Sequence, residues 1–272
     1  MQTLSIASQN IAEGHYDQRV QVDGSDEIAQ LATSFNQMAV QLEQVESMRR
    51  QLIGDVTHEL RTPLTSIKGY MEGLVDGVLH STPETFDQIH READRLSRLV
   101  DDLQELSRVE AKAYPLDLRS VTVSNLVQTT VKRLTPQATA KRITLRSNLP
   151  ADLPPLLADE DRITQVLVNL AANAIQYTPE GGDVTISAVR VNDEVQISVK
   201  DTGIGIPPEH IGNLFTRFYR VDKSRSRQAG GGSGIGLTIA RHLVEAHGGR
   251  IWAESQGEGM GSTFTFSLKI AK

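Results

Sequence analysis

Apolar positions in the first part of the chain repeat with the seven-residue period of a coiled coil. Ile28, Phe35, Leu42 and Val56 fall on one position of the repeat, which Arg49 interrupts, and Leu31, Met38, Val45 and Leu52 fall on the other. A seam of this length predicts long helices that pair along it. From Leu52 the spacing moves to fours through Val56, Leu60 and Leu64, then continues through Ile67, Met71, Leu74 and Val78. Such a stutter changes the local supercoil. The stretch His80–Ser81–Thr82–Pro83 stops the pattern, with Thr82 able to cap and Pro83 suited to a first helical position. The helix that follows carries its stripe on Phe86, Ile89, Ala93, Leu96, Val100, Leu103 and Leu106. Two amphipathic helices joined by a short turn form an antiparallel hairpin. One hairpin buries too little alone, so a dimeric antiparallel four-helix bundle is expected.

The pattern changes between Lys112 and Leu118. Beyond it, runs at 184–188, 195–199 and 264–268 alternate apolar with polar residues, as half-buried strands do. Helical spacing fits 124–138, 159–177 and 234–247. Strands with helices on one face predict a two-layer α/β sandwich, giving an α plus α/β chain overall. A net charge of −6 over 272 residues argues against nucleic acid as a partner. No apolar run reaches the roughly 18 residues of a membrane span, and no signal segment opens the chain. The chain has no cysteine, which excludes disulfides and thiolate metal sites and fits a reducing cytoplasm.

Four constellations carry candidate chemistry. In the helix around 161–177, Ile163, Leu167, Leu170 and Ala174 form a buried stripe, while Asn169, Asn173, Gln176 and Tyr177 share another face. Asparagine is unfavourable inside a helix. Its neutral carbonyl oxygen is a hard ligand suited to Mg²⁺ beside phosphate oxygens; the alternative is a solvated polar face. After the strand bearing Val195, Ile197 and Val199, Asp201 continues the apolar side, where a carboxylate is costly unless it meets a donor such as the amine of adenine. Gly203 and Gly205 follow and allow close backbone approach, although a tight turn would account for them equally. The run Gly230–Gly231–Gly232–Ser233–Gly234–Ile235–Gly236–Leu237 leads straight into a helix, as a phosphate-binding loop does. It fits neither the G-x-G-x-x-G nor the P-loop fingerprint. Finally, His58 in Asp55–Val56–Thr57–His58–Glu59–Leu60–Arg61–Thr62–Pro63–Leu64 lies about 200° around the helix from both Val56 and Leu60, so it faces solvent. Its imidazole can act as a nucleophile with Glu59 as general base. Pro63 interrupts the helical bonding beside it. Position 62 is Thr, so the H-E-x-x-H pattern of a zinc protease is excluded.

Together these motifs resemble the sensor histidine kinases of two-component systems. HELRTPL at His58 is similar to their phosphoacceptor box; NLAANAIQYT, DTGIGIP and GGSGIGL are similar to their nucleotide-binding boxes, in the same order. Leu214 to Arg220 resembles the aromatic segment of the mobile ATP lid. The resemblance implies a HAMP signal-relay module of parallel coiled-coil type at 1–47, a dimerisation and histidine-phosphotransfer hairpin at 48–112, and a Bergerat-type ATP-binding domain at 118–272. In the first of these, a short helix with Leu4 and Ile11 ends at Gly14, a connector carries Val20 and Val22, and Asp26–Glu27 opens the second helix. The implied activity is ATP-dependent phosphorylation of His58 in a homodimer, followed by transfer to the receiver domain of a response regulator. Thr62 would then orient water for phosphatase action on that partner. Asn173 would chelate Mg²⁺ with Asn169 nearby, Tyr177 would line the adenine side, and Asp201 would hold adenine. Gly203, Gly205, Gly232, Gly234, Gly236 and Leu237 would frame the nucleotide and its lid, and Arg220 would reach the γ-phosphate. Gln176 departs from the basic residue common at its position, which predicts weaker phosphate binding. The chain is then expected to be the cytoplasmic part of a membrane-anchored receptor. The rival readings are a degenerate kinase acting as a scaffold and a Bergerat-fold ATPase of another class.

Overall fold

A computed structural model describes residues 2–21, 27–111, 115–221 and 233–271. Expectations that rest on the side chain of Leu4, on Val22, Asp26 and Lys112, and on Gly230, Gly231 and Gly232 lie outside the described residues. The chain divides into two compact units, 1–85 and 86–272.

In the first unit, α1 (Gln2–Ala12) ends where Gly14 takes a φ of +93° and donates its N–H to the Ile11 carbonyl at 3.0 Å. A positive φ costs glycine nothing, which is why the helix stops there. The connector then runs back along α2 (Glu27–Val75). Asn36 holds it: its side-chain oxygen accepts from Val20 N–H and its amide nitrogen donates to the Val20 carbonyl, both at 2.8 Å. Arg19 pairs with Glu43 at 2.6 Å one level further along. Between α1 and α2, Ala7, Ile11, Phe35 and Ala39 form a small core flanked by Tyr16, Val20 and Leu42. The heptad seam read from the sequence therefore divides. Phe35 and Leu42 pack within the chain, whereas Ile28, Leu31, Met38 and Val45 remain exposed. A helical stripe wider than a single seam has two flanks, and here they serve different neighbours. Helix α2 runs unbroken for 49 residues through the buried Pro63. Arg49, which interrupts the heptad, is exposed and lies 3.8 Å from Glu46.

Helix α3 (Pro83–Glu110) begins as expected, with Thr85 N–H bonded to the Thr82 carbonyl at 3.1 Å and to its hydroxyl at 3.4 Å. Its buried residues are Leu99, Leu106 and Val109, whereas Phe86 and Val100 of the expected stripe are exposed. Towards its C-terminal end the helix is thus buried on one flank of that stripe, where Leu99 and Val109 lie beside Leu106.

The remaining elements are β1 (Arg119–Val121), α4 (Val123–Ala140), β2 (Thr144–Asn148), β3 (Leu156–Ala158), α5 (Glu160–Tyr177), β4 (Asp183–Val191), β5 (Glu194–Asp201), α6 (Pro208–Ile211), α7 (Gly236–Ala246), β6 (Arg250–Glu254) and β7 (Ser262–Lys269). Five strands form a mixed sheet in the order β2-β4-β5-β7-β6, and β1 pairs with β3 in a separate antiparallel ribbon. Helices α4, α5 and α7 pack with one another and against the sheet, so the expected two-layer sandwich is present. Val184 and Ile186 of β4, Val195, Ile197 and Val199 of β5, and Phe264, Phe266 and Leu268 of β7 alternate into the core. The strand order does not follow the sequence. Strand β2 pairs with β4 in parallel, and β7 lies between β5 and β6.

The ends of α5 and α7 are tied together. Asp159 caps α5, its carboxylate accepting from Arg162 N–H and from Asp117 N–H, each at 3.2 Å. Its own N–H donates to Nε2 of His247 at 3.1 Å, and His247 Nδ1 meets the Leu243 carbonyl at 2.7 Å. Those partners require the neutral imidazole with its proton on Nδ1. Just beyond, a Cβ at Gly249 would lie 2.0 Å from the Ser267 carbonyl oxygen. Gly249→Ala is therefore expected to destabilise the second unit by about 1–3 kcal/mol, the usual scale of overpacking, read by calorimetry as a lower melting temperature. An unchanged melt would show that β6 and β7 can separate there freely.

Candidate nucleotide site and phosphoacceptor helix

At the end of β5 the second unit brings together Asp201, Gly203, Gly205 and the backbone of Tyr177. Asp201 is 3% exposed. One carboxylate oxygen accepts from Gly203 N–H at 2.8 Å and Ser262 N–H at 3.2 Å, and the other accepts from the Ser262 hydroxyl. Burial raises its pKa, and these donors work in the opposite direction. Ser262 reaches it because β5 and β7 pair with Asp201 opposite Ser262. The adjoining backbone leaves no room for side chains. A Cβ at Gly203 would lie 2.6 Å from both the Asp201 carboxylate and the Tyr177 carbonyl, and one at Gly205 1.9 Å from the Gly257 carbonyl. Ile204 N–H donates to that same Tyr177 carbonyl at 3.1 Å, fastening the turn to the C-terminal end of α5. Ser262, Gly257, Gly259 and Gly261 were missed from the sequence. Their signal is three glycines at alternate positions ahead of a strand, all with positive φ.

Helix α5, whose last residue is Tyr177, carries Asn169, Asn173 and Gln176. Asn169 donates to the Gly236 carbonyl at 3.1 Å and so holds the first turn of α7. Asn173 is half-buried and makes no side-chain hydrogen bond to any described residue. The Nε2 of Gln176 is buried without a hydrogen-bond partner among the described residues. A cation does lie near this residue, on a different element. Lys141 donates its ammonium to the carbonyls of Ile175 and Gln176, and burial lowers its pKa.

The glycine-rich loop is described from Ser233. Gly234 has a φ of +76°, and a Cβ there would meet the Phe218 backbone at 3.0 Å, so the protein itself demands that glycine. At Gly236 the nearest atoms to a Cβ are 3.7 Å away, ordinary contact, so no neighbour among the described residues demands it. No side chain caps the N-terminus of α7, whose second residue is the half-buried Leu237. The aromatic segment is locked to this loop: Phe218, itself at a φ of +58°, donates its N–H to the Gly234 carbonyl, and Thr238 donates its hydroxyl to the Phe215 carbonyl. Arg220 is half-buried at the end of that segment.

In the first unit, His58 is exposed on α2, as its angular position required, with Glu59 and Thr62 half-buried beside it. The Thr62 hydroxyl donates to the His58 carbonyl at 3.2 Å. Pro63 has no N–H to give the Glu59 carbonyl.

Burial makes Asp201 hold its proton more tightly in the native chain than in the unfolded one. Its contribution to stability is therefore full below the ordinary aspartate value of 3.8 and drains away as pH rises through the raised value. Melts of wild type and Asp201→Asn between about pH 4 and pH 7 should diverge, with the wild type losing relative stability as pH rises. Parallel curves would show that the Ser262 and Gly203 donors offset burial completely.

The comparisons with known proteins follow the same division. The HAMP domain model matches residues 1–44, the His Kinase A (phospho-acceptor) domain model 48–112, and the model of histidine kinase-, DNA gyrase B- and HSP90-like ATPases 158–272. The chain is 41% identical to the sensor histidine kinase WalK of Bacillus subtilis over 232 residues, which is 83% of this chain and 37% of WalK. It is 36% identical to the histidine-protein kinase BaeS of Escherichia coli over 99% of this chain and 57% of BaeS. It therefore spans well under two thirds of either relative. Among solved structures, the Acinetobacter baumannii histidine kinase AdeS matches 79% of this chain and 98% of its own, with a TM-score of 0.65 and 29% identity. The histidine kinase ThkA, in complex with the response regulator protein TrrA, matches 84% of this chain and 64% of its own, with a TM-score of 0.68 and 25% identity. With all three models matched in order along it, the chain belongs to the sensor histidine kinases of two-component systems.

Proposed function

We propose that this chain, as a homodimer, uses Mg·ATP to phosphorylate its own His58 and then passes the phosphoryl group to an aspartate of a response regulator receiver domain. The observation that carries the proposal is a set of open polar groups arranged for a nucleotide: Asn173, the buried Gln176 amide and the uncapped α7. They accompany an exposed imidazole on a dimerisation-type helix. Asp201 accepts the adenine amine, with Tyr177, Gly203 and Gly205 around the base. Asn169 fixes α7 so that its first-turn N–H groups, at Gly236 and Leu237, meet phosphate oxygens. Gly234 shapes the loop, Gly232 is assigned to nucleotide binding with it, and Arg220 serves the γ-phosphate. The Asn173 carbonyl, a hard neutral oxygen with no side-chain hydrogen bond to any described residue, would be the chain's ligand for a Mg²⁺ held with the phosphates. When bound, Mg²⁺ neutralises charge on the transferring group. A ring nitrogen of His58 attacks the γ-phosphorus, the bond to the β-phosphate oxygen breaks, ADP leaves, and Glu59 takes the ring proton. Thr62 orients a water that hydrolyses the aspartyl phosphate of the partner, a phosphatase activity separate from the transfer.

We assign 1–47 to signal relay, 48–112 to dimerisation and phosphotransfer, and 118–272 to ATP binding. The relay module and the chain's share of its relatives support a larger protein anchored in a membrane, with these domains on the cytoplasmic side. No helix among the described residues is long and apolar enough to cross a membrane.

γ-Labelled ATP should give an acid-labile, base-stable label, which His58→Gln abolishes while ATP binding persists. Thr62→Ala should keep the label yet slow dephosphorylation of the partner. Label surviving in His58→Gln would place the acceptor elsewhere. Gln176→Leu separates fold from function. Removing an unpaired buried donor should stabilise the nucleotide-free chain by about 1–3 kcal/mol while weakening ATP binding. Loss of stability together with unchanged affinity would refute a phosphate-facing amide.

A further inference from the structure

The C-terminal turns of α3 carry a set of carboxylates that the proposed reaction does not use. At 100° per residue, Leu99, Asp102, Glu105, Leu106, Val109 and Glu110 lie within an arc of roughly 140°. The apolar members of this face are buried, and each acidic member meets a group of the nucleotide domain. The Asp102 carboxylate accepts the hydroxyl proton of Ser233, in the glycine-rich loop. Glu105 pairs with Arg162 in the first turn of α5 at 3.0 Å, and Glu110 pairs with Arg217 of the aromatic segment at 3.1 Å. Ser233 also accepts the Ile235 N–H at 3.2 Å, so the loop is held from its backbone as well as its side chain.

Resting on the nucleotide-site reading above, we propose that Asp102 is an internal competitor for the terminal phosphate of ATP, a carboxylate that occupies the glycine-rich loop until the nucleotide displaces it. Its position is the ground for this. Ser233 lies one residue before Gly234 and three before Gly236, where α7 begins uncapped. A loop of this kind offers donors to an anion, and the anion it meets here is Asp102. Burial raises the Asp102 pKa despite the Ser233 hydroxyl, so holding this carboxylate charged against the loop is costly. Glu105 and Glu110 hold the helix in place from either side, which gives the competitor a high local concentration. Two negative groups aimed at one loop repel, so binding of the γ-phosphate and docking of α3 oppose one another. By linkage each weakens the other by the same factor.

The test uses the full chain and three ligands: a non-hydrolysable ATP analogue, ADP and adenosine, each titrated calorimetrically into wild type and Asp102→Asn. The amide keeps the size of the carboxylate and removes its charge. Affinity for the ATP analogue should rise roughly fivefold or more, the lower end of ordinary coupling between sites. The gain for ADP should be smaller and adenosine should be unaffected. An equal gain for all three ligands, or none, overturns the proposal. So does weaker binding of the ATP analogue, which would make Asp102 a support of the loop. Should Asp102→Asn fail to fold, Glu105→Gln leaves Ser233 untouched while removing one docking charge. It must shift the ATP-to-ADP affinity ratio in the same direction, and an unchanged ratio counts against the competitor. A wild-type chain that binds none of the three ligands would sink the nucleotide reading itself. Binding in the wild type without the selective gain sinks only this inference.

Discussion

A carboxylate at 3% exposure on the inner face of a sheet persists only where donors surround it, and much of the second unit is arranged to supply them. Asp201 takes two hydrogen bonds from Ser262 and one from Gly203. The first two depend on the long β5–β7 ladder, in which a slip of one residue would turn Ser262 away. Glycine at 203 and 261 follows from the same contact, since a Cβ at either would strike Asp201 or its carbonyl. The turn after Asp201 is then tied to Tyr177, which fixes the end of α5 and hence the asparagines along it. Asn169 carries the constraint on to α7. Three elements of the site thus share one chain of bonds that begins at a single buried charge.

Features set by local periodicity were open to reading from the sequence. Asp201 continues a two-residue alternation, His58 lies opposite a helical stripe, and Asn169 and Asn173 share a face. All three placements follow from backbone geometry alone. Features set by long-range pairing were not. Ser262 becomes relevant through a register with a strand some 60 residues earlier. The parallel β2–β4 pair and the β1–β3 ribbon carry no local signature of their partners. Gln176 read as a lost cation, yet Lys141 approaches its carbonyl from the α4–β2 turn, which no spacing along α5 could disclose.

The helices show a different reason for partial legibility. A heptad reading selects the strongest apolar row and assigns it one partner. In α2 the row containing Phe35 and Leu42 is used by α1 and the connector, while Leu31, Met38 and Val45 stay open for another chain or helix. In α3 the prominent stripe from Phe86 to Leu106 drew attention from its flank, in which acids alternate with Leu99 and Val109. Mixed apolar and charged faces of that sort look solvated in sequence, because their counter-charges lie on other elements.

The parallel pairing of β2 with β4 bears on how the chain acquires this structure in time. Antiparallel β4 and β5 need only the tight turn at Asn192 to meet, and α1 with α2 needs only local contacts. Strand β2 must wait until β3 and α5 have been made and folded back, since a parallel neighbour cannot be reached by a hairpin. Closing that crossover is the slow kind of event in folding, where loop entropy is lost before any contact rewards it. On a ribosome the helical segments emerge first and can fold while the crossover is incomplete. Nascent chains would therefore pass through an interval in which the histidine helix exists and its nucleotide site does not.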